Sequence, residues 1–341
     1  MSTTPVRWGI AGTGGIARRF ALGLDQRDDA RLVAVASRSG ERARAFAAEH
    51  GTGPRGGAGA VRAHGAYDDL AADPDVDAVY VATPHARHCA DTLLYLSAGR
   101  HVLCEKPLAM NQAQAAAMAA AARSRGLFLM EAMWSRFLPA YRALRSLIGD
   151  GRVGEPLVVE ADFGFVLPPD PTHRLFDPAL GGGALLDLGV YPVQLASLVL
   201  GPPDVVRAAG RLGRTGVDEH VAAVLGHPGG AVAVAKAALD APLSCTARVT
   251  GSDGWIALPA FMHCPGSLTL QDPHGREQLE LPVDGEGLSY EAGEVARCLE
   301  LGLTESPDMP LDESVRIAGT LDAIRAEIGL TYPPDVERAD G

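Results

Sequence analysis

Short apolar runs alternate with segments of helical spacing over the N-terminal part of the chain. The apolar runs predict buried strands at residues 6–11, 31–39, 77–84, 101–107 and 127–137. The intervening segments predict helices at residues 18–24, 41–50, 87–99 and 111–126, and a further helix after Pro139. Strands that alternate with helices at this spacing are typical of a doubly wound parallel sheet. The Gly-rich stretch at 51–65 has no periodicity and is predicted to be a mobile loop.

From about residue 155 the pattern changes to strand-like runs separated by turn residues, which predicts a largely antiparallel sheet. These runs cover residues 155–165, 205–213, 219–239, 245–259 and 266–283. One helix follows the glycine triplet at 181–183, and two more are predicted near 289–302 and 311–329. We therefore expect an α/β fold with two domains and a tail. They are an N-terminal Rossmann domain with a doubly wound parallel sheet (1–128), a C-terminal α+β domain with a large, open, mainly antiparallel sheet (129–332), and the tail (333–341).

Composition and charge narrow the class of partner. The chain has 341 residues, 47% of them hydrophobic, and a net charge of −12, which suits a globular protein of about two domains. A negative surface repels nucleic acid and anionic membranes, so we expect small-molecule partners instead. We expect no membrane span, because we recognise no run of about 18 apolar residues. The N-terminus lacks the regions of a signal peptide, and the five cysteines are scattered, so we expect a cytoplasmic protein with reduced thiols.

The sequence GTGGIA at 12–17 lies between the first predicted strand and the first predicted helix. Gly12, Gly14 and Ala17 have the G-x-G-x-x-A spacing of dinucleotide-binding turns. Gly12 permits the tight turn, Gly14 lets the backbone approach a pyrophosphate, and Ala17 allows close helix–strand packing. Glycine-rich turns also occur as plain strand–helix connections, but the position at the start of a βαβ pattern favours dinucleotide binding.

The end of the second predicted strand indicates which dinucleotide is bound. Sites that prefer NAD usually place an Asp or Glu there to hold the ribose 2′-hydroxyl. This strand ends in VASRS, and no carboxylate precedes Glu41. Ser37 and Arg38 instead offer a hydroxyl and a guanidinium, which suit a 2′-phosphate, and Arg42 adds a further positive charge. We expect NADP to be preferred over NAD; the alternative is that Arg38 is a solvated surface charge.

The stretch VLCEKPLAM at 102–110 ends a buried strand with a charged pair. Lys106 is one of only two lysines among the 30 basic residues of the chain, and arginine cannot give up a proton as an amine can. Pro107 keeps Lys106 out of the helical region at a strand end, where ligands of open α/β sheets bind. Glu105 is expected to point the opposite way. The interpretation of Lys106 is a proton-exchanging group; the alternative is a snorkelling lysine at a strand terminus.

The stretch GGGALLDLGVYPVQL at 181–195 carries a second polar pair. Asp187 and Tyr191 are four residues apart, so both are expected on one face of the predicted helix. Tyr191 could exchange a proton while Lys106 biases it toward ionisation and Asp187 orients the substrate or the lysine. The alternative is a core tyrosine whose hydroxyl is capped by Asp187.

Taken together, these motifs resemble the glucose–fructose oxidoreductase/inositol dehydrogenase (Gfo/Idh/MocA) family. The stretches that carry the resemblance are GTGGIA, VATPHARH (81–88), CEKPLA (104–109), GGGALLDLGVYPV and GLTESPDMPLDESVRI (302–317). They span nearly the whole chain in the family's order. Within the family, EAMWSRFLPA and the Asp-x-x-x-Tyr pair most resemble the branch of dimeric dihydrodiol dehydrogenases and NADP-dependent D-xylose dehydrogenases. Many relatives carry His at the position of Tyr191, so Tyr argues against the inositol dehydrogenase branch.

The resemblance implies a set of site residues. Lys106 would be catalytic, with a cis bond before Pro107, Tyr191 would have the acid–base role, and Asp187 would support them. The complete set of residues expected to bind the cofactor is Gly12, Thr13, Gly14, Gly15, Ile16, Ala17, Ser37, Arg38, Arg42, Thr83, Pro84, His85, His88, Glu105, Lys106, Pro107, Trp134 and Arg136. The resemblance further implies a homodimer or tetramer built on the open C-terminal sheet, and the long loop at 51–65 departs from the family pattern.

We expect an NADP-dependent oxidoreductase that moves a hydride between the nicotinamide and a secondary alcohol, ketone or hemiacetal. The substrate would be a sugar, a polyol or a trans-dihydrodiol. Two other functions remain open on the same fold: a non-catalytic NAD(P)-binding regulator and an NAD-dependent glycosidase. No metal is expected, because His85, His88 and Cys89 lack further clustered ligands. His263 and Cys264 are expected to be structural, and Lys236 is expected to be solvated on a sheet.

Overall fold

The N-terminal domain is built around a six-stranded parallel sheet. The computed structural model describes residues 4–51 and 60–338. The strands of this sheet are β1 (Val6–Ala11), β2 (Ala30–Ala36), β3 (Arg62–His64), β4 (Ala78–Val81), β5 (His101–Glu105) and β6 (Leu129–Ala132). They lie in the order β3-β2-β1-β4-β5-β6, and these pairings are all parallel. The predicted doubly wound sheet is thus confirmed.

Helices connect these strands, and their ends follow simple capping rules. They are α1 (Gly15–Leu24), α2 (Gly40–His50), α3 (Tyr67–Ala71), α4 (His88–Ser97) and α5 (Gln112–Arg125), followed by α6 (Pro139–Gly149). The side chain of Ser39 caps α2 by accepting from the amide of Arg42, and Asn111 caps α5 in the same way. Gly126 ends α5 in a left-handed conformation, which glycine adopts without strain.

The structure differs from the sequence prediction between residues 60 and 71. Strand β3 lies within the stretch that was predicted to be a mobile loop, and α3 follows it. β3 has only three residues, and its two outer positions carry the polar side chains of Arg62 and His64. So short a strand at a sheet edge leaves no periodic pattern to detect. Residues 52–59 of the predicted loop lie outside the described residues.

The second domain contains an eight-stranded sheet. Its strands are β7 (Pro156–Gly164), β8 (Val205–Leu212), β9 (Asp218–Gly226), β10 (Val232–Ala238), β11 (Ala247–Gly251), β12 (Trp255–Leu258), β13 (Ser267–Asp272) and β14 (Gly275–Glu280). The order is β14-β13-β12-β11-β7-β10-β9-β8. The pairing of β7 with β10 is parallel and the other pairings are antiparallel, so the expectation of a mainly antiparallel open sheet is confirmed.

A buried helical segment crosses the inner face of this sheet. It begins with a π-helical turn at Leu185–Gly189 and continues as α7 (Val190–Leu200). Within the described residues, the stretch Pro178–Leu200 is long and apolar enough to cross a membrane by length and composition alone, with a mean hydropathy of 1.5, although we expected no such run. Most of that window (83%) is buried inside the fold. A core helix of this kind is apolar all round because it is covered on every side.

The two domains share one hydrophobic core, and the C-terminal helices pack back against the N-terminal domain. One cluster of buried side chains runs from Ile10 and Leu103 of the first sheet to Val159 and Leu225 of the second. The last helices are α8 (Ser289–Glu300), α9 (Leu311–Ile328) and α10 (Pro334–Glu337). α8 contacts α1, and α9 contacts α5. Residues 334–338, from the predicted tail, bind the Rossmann domain, because the side chain of Gln114 donates to the main-chain oxygens of Val336 and Arg338.

Candidate active site

A cleft of about 1110 Å³ opens between the carboxyl ends of the parallel strands and the second domain. Ligands of open α/β sheets bind at this edge. Most of the residues predicted from the sequence line it. They are Gly12, Thr13, Gly14, Gly15, Ile16, Ser37, Arg38, Arg42, Thr83, Pro84, His85, His88, Glu105, Lys106, Trp134, Asp187 and Tyr191.

The glycine turn forms one end of the cleft. Gly12 has φ +108°, and a Cβ there would lie 2.6 Å from the main-chain oxygen of Ala82, so the position requires glycine. A Cβ at Gly14 or Gly15 would meet nothing within 4 Å. Gly14 caps α1 without a side-chain hydrogen bond, so the amide groups of the first turn face the cleft free of a capping oxygen. The first turn of α1 therefore has uncapped amide groups and free space in front of them, which fits the binding of a pyrophosphate.

The end of β2 carries positive charge and a hydroxyl at the same end of the cleft. Ser37, Arg38 and Arg42 line it, with Ser37 almost fully buried. The carboxylates that line the cleft are those of Glu105 and Asp187, which lie at its other end on β5 and the π turn. Among the lining residues, the end of the cleft next to β2 therefore offers guanidinium and hydroxyl groups and no carboxylate, a donor set that fits a 2′-phosphate.

Lys106 follows the last residue of β5 and reaches across to the second domain. Its peptide bond to Pro107 is cis, as the family resemblance implied. The Nζ atom donates to the main-chain oxygen of Asp187 at 2.7 Å and lies 3.4 Å from the Asp187 Oδ1 atom. It also lies 4.9 Å from the centroid of the Tyr191 ring. Lys106 thus contacts both of the other residues predicted to carry the chemistry, Asp187 and Tyr191.

Asp187 lies in the π turn and is surrounded by donors. The Oδ1 atom is 3.5 Å from His85 Nε2 and 3.2 Å from both terminal nitrogens of Arg174, in addition to Lys106. Burial alone would raise the pKa of this carboxyl, but the charge of Lys106, the hydrogen bond from His85 and the charge of Arg174 hold the pKa well below its usual range. Asp187 is therefore ionised throughout the physiological pH range.

Tyr191 is buried, and its hydroxyl accepts a hydrogen bond from Trp134 Nε1 at 3.0 Å. Burial, followed by the charge of Glu105, raises the pKa of the phenol well above its ordinary value, whereas the Trp134 bond acts in the opposite direction. Within the described residues, Lys106 contacts the ring of Tyr191 and makes no hydrogen bond to the hydroxyl. A direct Lys106-to-Tyr191 proton relay is thus not formed in this structure.

Glu105 is the last residue of β5, and its side chain stabilises the end of this strand. Its side chain accepts from the hydroxyl of Tyr80 and, at 3.2 Å, from the amide of Lys106. The expected opposite orientation of Glu105 and Lys106 agrees with these contacts, since Glu105 binds within the Rossmann domain and Lys106 binds the second domain. Glu105 thus anchors the residue that carries the amine.

Three residues of the expected cofactor-binding set do not line the cleft. Ala17 is fully buried under the glycine turn. Pro107 faces the interior, where its main-chain oxygen lies 2.8 Å from His88 Nδ1. Arg136 is 2% exposed, and its guanidinium binds Glu313 at 2.8 Å and Gln194 at 3.1 Å. The expectation that Arg136 lines the cofactor is therefore wrong for this fold, because its charge is taken up by a buried ion pair behind the cleft.

An aromatic wall of Phe163 and His263 lines the cleft beside Tyr191 and was missed by the sequence analysis. His263 stacks on Phe163 with ring centroids 4.4 Å apart and lies 5.0 Å from the Tyr191 ring. Burial, aided by the charges of Lys106 and Arg19, lowers the pKa of His263 to about 4, so the ring is neutral. His263 was expected to be purely structural, yet it lines the cleft. No spacing in the sequence links its loop to the site.

Further lining residues come from helix α1, from the first residue of α3 and from segments of the second domain outside its regular strands. They are Arg18, Arg19, Tyr67, Phe165 and Arg174. Arg174 sits in a 3₁₀ turn before the glycine triplet, and its side chain is half exposed. The position of Arg174 depends on how the second domain packs on the first. A local sequence pattern does not predict this packing. Over residues 4–51 and 60–338, no group of three or more His, Cys, Asp or Glu side chains could hold a metal ion.

The fold and this cluster define a class, the oxidoreductases that join a Rossmann domain to an open-sheet domain. The chain belongs to the GFO/IDH/MocA family. The family's domain described as "Oxidoreductase family, NAD-binding Rossmann fold" matches residues 6–133. The GFO/IDH/MocA C-terminal domain matches residues 141–257. The resemblance read from the motifs is thus confirmed, and with it the assignment to the oxidoreductases.

The chain is similar to several named oxidoreductases. The trans-1,2-dihydrobenzene-1,2-diol dehydrogenase of Bos taurus is 42% identical over 343 residues, covering 97% of this chain and 99% of the relative. The human protein of the same name is 41% identical over 340 residues, with the same coverage. Among solved structures, a 3-ketoreductase from Actinomadura kijaniata in complex with NADP and TDP-benzene has a TM-score of 0.83 and 30% identity, covering 95% of this chain and 98% of that chain. An aldose-aldose oxidoreductase from Caulobacter crescentus, complexed with glycerol, has a TM-score of 0.83 and 27% identity, covering 95% and 97%.

Proposed function

We propose that the protein is an NADP-dependent oxidoreductase that interconverts a secondary alcohol and a ketone, or a hemiacetal and a lactone, on a sugar, polyol or trans-dihydrodiol. The observation that carries the proposal is the convergence of Lys106, Asp187 and Tyr191 on the cleft that begins at the glycine turn. A regulator that only binds a dinucleotide has no need of a charged and phenolic cluster at the far end of the same cleft. The cluster supports an enzyme.

NADP is the proposed cofactor, and it supplies or accepts the hydride when bound. The amides at the start of α1 would hold its pyrophosphate, and Ser37, Arg38 and Arg42 would hold its 2′-phosphate. The A. kijaniata 3-ketoreductase, which is 30% identical, was solved with NADP. Both lines support NADP over NAD for this chain.

Tyr191 is proposed to exchange the proton with the reacting oxygen of the substrate. In the oxidation direction the C–H bond breaks as the hydride leaves, and the hydroxyl proton passes to the Tyr191 oxygen; reduction reverses both transfers. The hydrogen bond from Trp134 Nε1 favours the ionised phenol. Lys106 stabilises negative charge on the substrate oxygen, and Asp187 fixes the lysine through its main-chain oxygen.

The aromatic wall supports a cyclic substrate. Phe163, His263 and Trp134 present flat, largely apolar surfaces beside Tyr191, and such surfaces pack against the face of a ring. The mammalian relatives are named for a trans-dihydrodiol of benzene, and the C. crescentus protein is named for aldoses. We therefore place cyclic vicinal diols first and aldoses second.

The exposed face of the open sheet supports a homo-oligomer, and the cysteines support a location in the cytoplasm. Val205 and Val224 on neighbouring strands are each 49% exposed, an apolar surface that a second copy would cover. We propose a dimer or a tetramer built on this face, which sedimentation velocity would distinguish from a monomer. Among the described residues no disulfide joins any two cysteines, which supports a reducing compartment.

The experiment is a substrate panel of trans-dihydrodiols, polyols and aldoses, read by NADPH absorbance with NADP or NAD. We expect turnover with at least one cyclic diol or sugar and higher catalytic efficiency with NADP. Binding of NADP without turnover of any substrate would instead favour a regulator. Substrate hydrolysis without net NADPH formation would favour the glycosidase.

A further inference from the structure

A carboxyl group without a partner is buried behind the catalytic cluster. Glu291 lies on α8, its side chain is 0% exposed, and within the described residues neither of its two carboxyl oxygens has a hydrogen-bond partner. Buried polar groups are nearly always hydrogen-bonded, and an ionised carboxylate without a partner is very costly to bury. Glu291 therefore requires an explanation.

The groups that face Glu291 offer little positive charge. α8 contacts α1, and Arg19 of α1 is the cation that acts on Glu291. Arg19 is already bound to Glu286 at 3.0 Å, and its guanidinium lies 5.2 Å from the centroid of the Trp134 ring. On α8 itself, the carboxylate of Glu294 is bound to an arginine and a serine of its own.

α8 also contacts the 3₁₀ turn Trp134–Phe137, and Trp134 of this turn donates to the Tyr191 hydroxyl. The other groups that interact with Glu291 are acidic or phenolic. They are Glu105 at the end of β5, Tyr80 on β4 and Tyr191 on α7. Two of these three, Glu105 and Tyr191, line the cleft. Charge on Glu291 would therefore be felt by the residues that carry out the proposed chemistry.

Two nearby buried carboxyls cannot both ionise without large cost. Glu105 has the features that stabilise an anion, because it accepts from the Tyr80 hydroxyl and the Lys106 amide and faces the Lys106 charge. Glu291 has none of them. Burial and the charge of Glu105 raise the pKa of Glu291 well above its ordinary value. Burial raises the pKa of Glu105 as well, but the Lys106 charge and these hydrogen bonds oppose the rise, so Glu105 is the member of the pair that ionises first and Glu291 is the one that keeps its proton.

We infer that Glu291 is a positioning residue for proton transfer: as a neutral acid it keeps a single buried negative charge, that of Glu105, beside Lys106 and Tyr191. This inference rests on the proposed function. A second negative charge would disfavour the ionised phenol of Tyr191. That would slow oxidation, which needs the phenolate as a base, and reduction, which generates it. Activity at alkaline pH then falls when Glu291 loses its proton.

The test compares pH–rate profiles of the wild type and Glu291→Gln, which has the same shape and no titratable proton. We expect equal activity near neutral pH. At alkaline pH we expect the wild type to decline by about tenfold for each pKa unit added to Tyr191, with a smaller decline in the variant. Glu300→Gln, on the exposed end of the same helix, is the matched control and should follow the wild type. An identical alkaline decline in Glu291→Gln and wild type would overturn the inference, as would a loss of activity in the variant at neutral pH with an unaltered profile.

Stability against pH gives a readout that needs no substrate. In the unfolded chain Glu291 ionises near its ordinary pKa of 4.5, whereas the folded protein keeps it protonated. The folded state thus binds more protons, so the wild type loses stability as the pH rises from 4.5 through the folded-state pKa. We expect the melting temperature of Glu291→Gln to gain on the wild type over this range, with Glu300→Gln unchanged. If the melting temperatures of Glu291→Gln and the wild type changed with pH by the same amount, the inference would be overturned. If no substrate is turned over, the proposed function fails. The pH dependence of the melting temperature still shows whether Glu291 keeps its proton in the folded protein.

Discussion

The ammonium group of Lys106 donates to the main-chain oxygen of Asp187 at 2.7 Å, whereas the Asp187 carboxylate lies at the longer distance of 3.4 Å. The end of β5 is therefore tied to the backbone of the π turn in the second domain. The direction in which the Lys106 amine points therefore depends on the fold of both domains. The Asp187 carboxylate mainly contributes negative charge. This tie puts Lys106 over the Tyr191 ring.

Replacement of Lys106 should abolish turnover without abolishing cofactor binding. In Lys106→Ala we expect kcat to fall by about 10²–10³-fold, the usual cost of removing a donor that stabilises charge in the transition state. Lys106→Arg should be similarly impaired, because the larger, planar guanidinium keeps the charge but cannot take the position of the compact ammonium group. Lys236→Ala is the matched control, since this second lysine pairs with Asp162 on the sheet. NADPH fluorescence titration checks binding. Full activity in Lys106→Ala would refute the assigned role.

Removal of the Tyr191 hydroxyl separates its chemistry from its packing. Tyr191→Phe keeps the ring beside Lys106 but leaves Trp134 Nε1 without its acceptor. We expect kcat to fall by about 10²–10⁴-fold and the free energy of unfolding to fall by about 1–3 kcal/mol for the unpaired donor. Steady-state kinetics and chemical denaturation measure the two effects. A variant that loses stability but keeps its turnover would leave Tyr191 a structural residue.

Cofactor preference should depend on Arg38. In Arg38→Ala we expect the KM for NADP to rise by about 10–100-fold, since a charge-assisted hydrogen bond contributes about 1.5–3 kcal/mol. The KM for NAD should not change, because NAD has no 2′-phosphate. Arg44→Ala is the control, as Arg44 is exposed on α2 and does not line the cleft. If both cofactors were affected equally, Arg38 would not contact the 2′-phosphate.

The central cluster was predictable because strong local constraints fix each member. Lys106 follows a buried strand and precedes a proline, and ligands bind at that edge of a parallel sheet. Asp187 and Tyr191 follow a glycine triplet at a spacing that brings both to one side of a helical segment. The sequence does not indicate the π turn, however, and with it the use of the Asp187 main-chain oxygen as the acceptor of Lys106.

The residues that sequence analysis missed or misplaced depend on long-range packing. Arg174 and His263 reach the cleft from loops that have no periodicity, and their positions follow from the way the second domain closes over the first. Arg136 lies in the same 3₁₀ turn as Trp134, and Trp134 does line the cleft. Its side chain is drawn inward by Glu313 of α9, a residue far along the chain, so no local pattern predicts its direction.

Acid should destabilise the protein in part through His263. Burial lowers its pKa to about 4 from an ordinary value of 6.5, so the unfolded chain takes up this proton at a higher pH than the folded chain. The contribution to stability is complete above about pH 6.5 and is lost as the pH falls to 4, on the order of 3 kcal/mol in all. In His263→Phe, which keeps the stacking on Phe163, we expect a smaller loss of melting temperature over this range. Replacement of the exposed His274 by Ala should leave the wild-type slope. An unchanged slope in His263→Phe would show that His263 does not titrate in this way.

Arg136 should matter for stability and not for the cofactor. Its guanidinium is buried with Glu313 and Gln194, and removal of one partner of a buried ion pair costs about 3–5 kcal/mol because the other charge is left uncompensated. In Arg136→Met we expect this loss in the free energy of unfolding, measured by chemical denaturation, with an unchanged KM for NADP. Arg316→Met is the matched control: Arg316 pairs with the same Glu313 but is 45% exposed, so its loss should cost less than about 1 kcal/mol. A raised KM for NADP in Arg136→Met at unchanged stability would return Arg136 to the cofactor site.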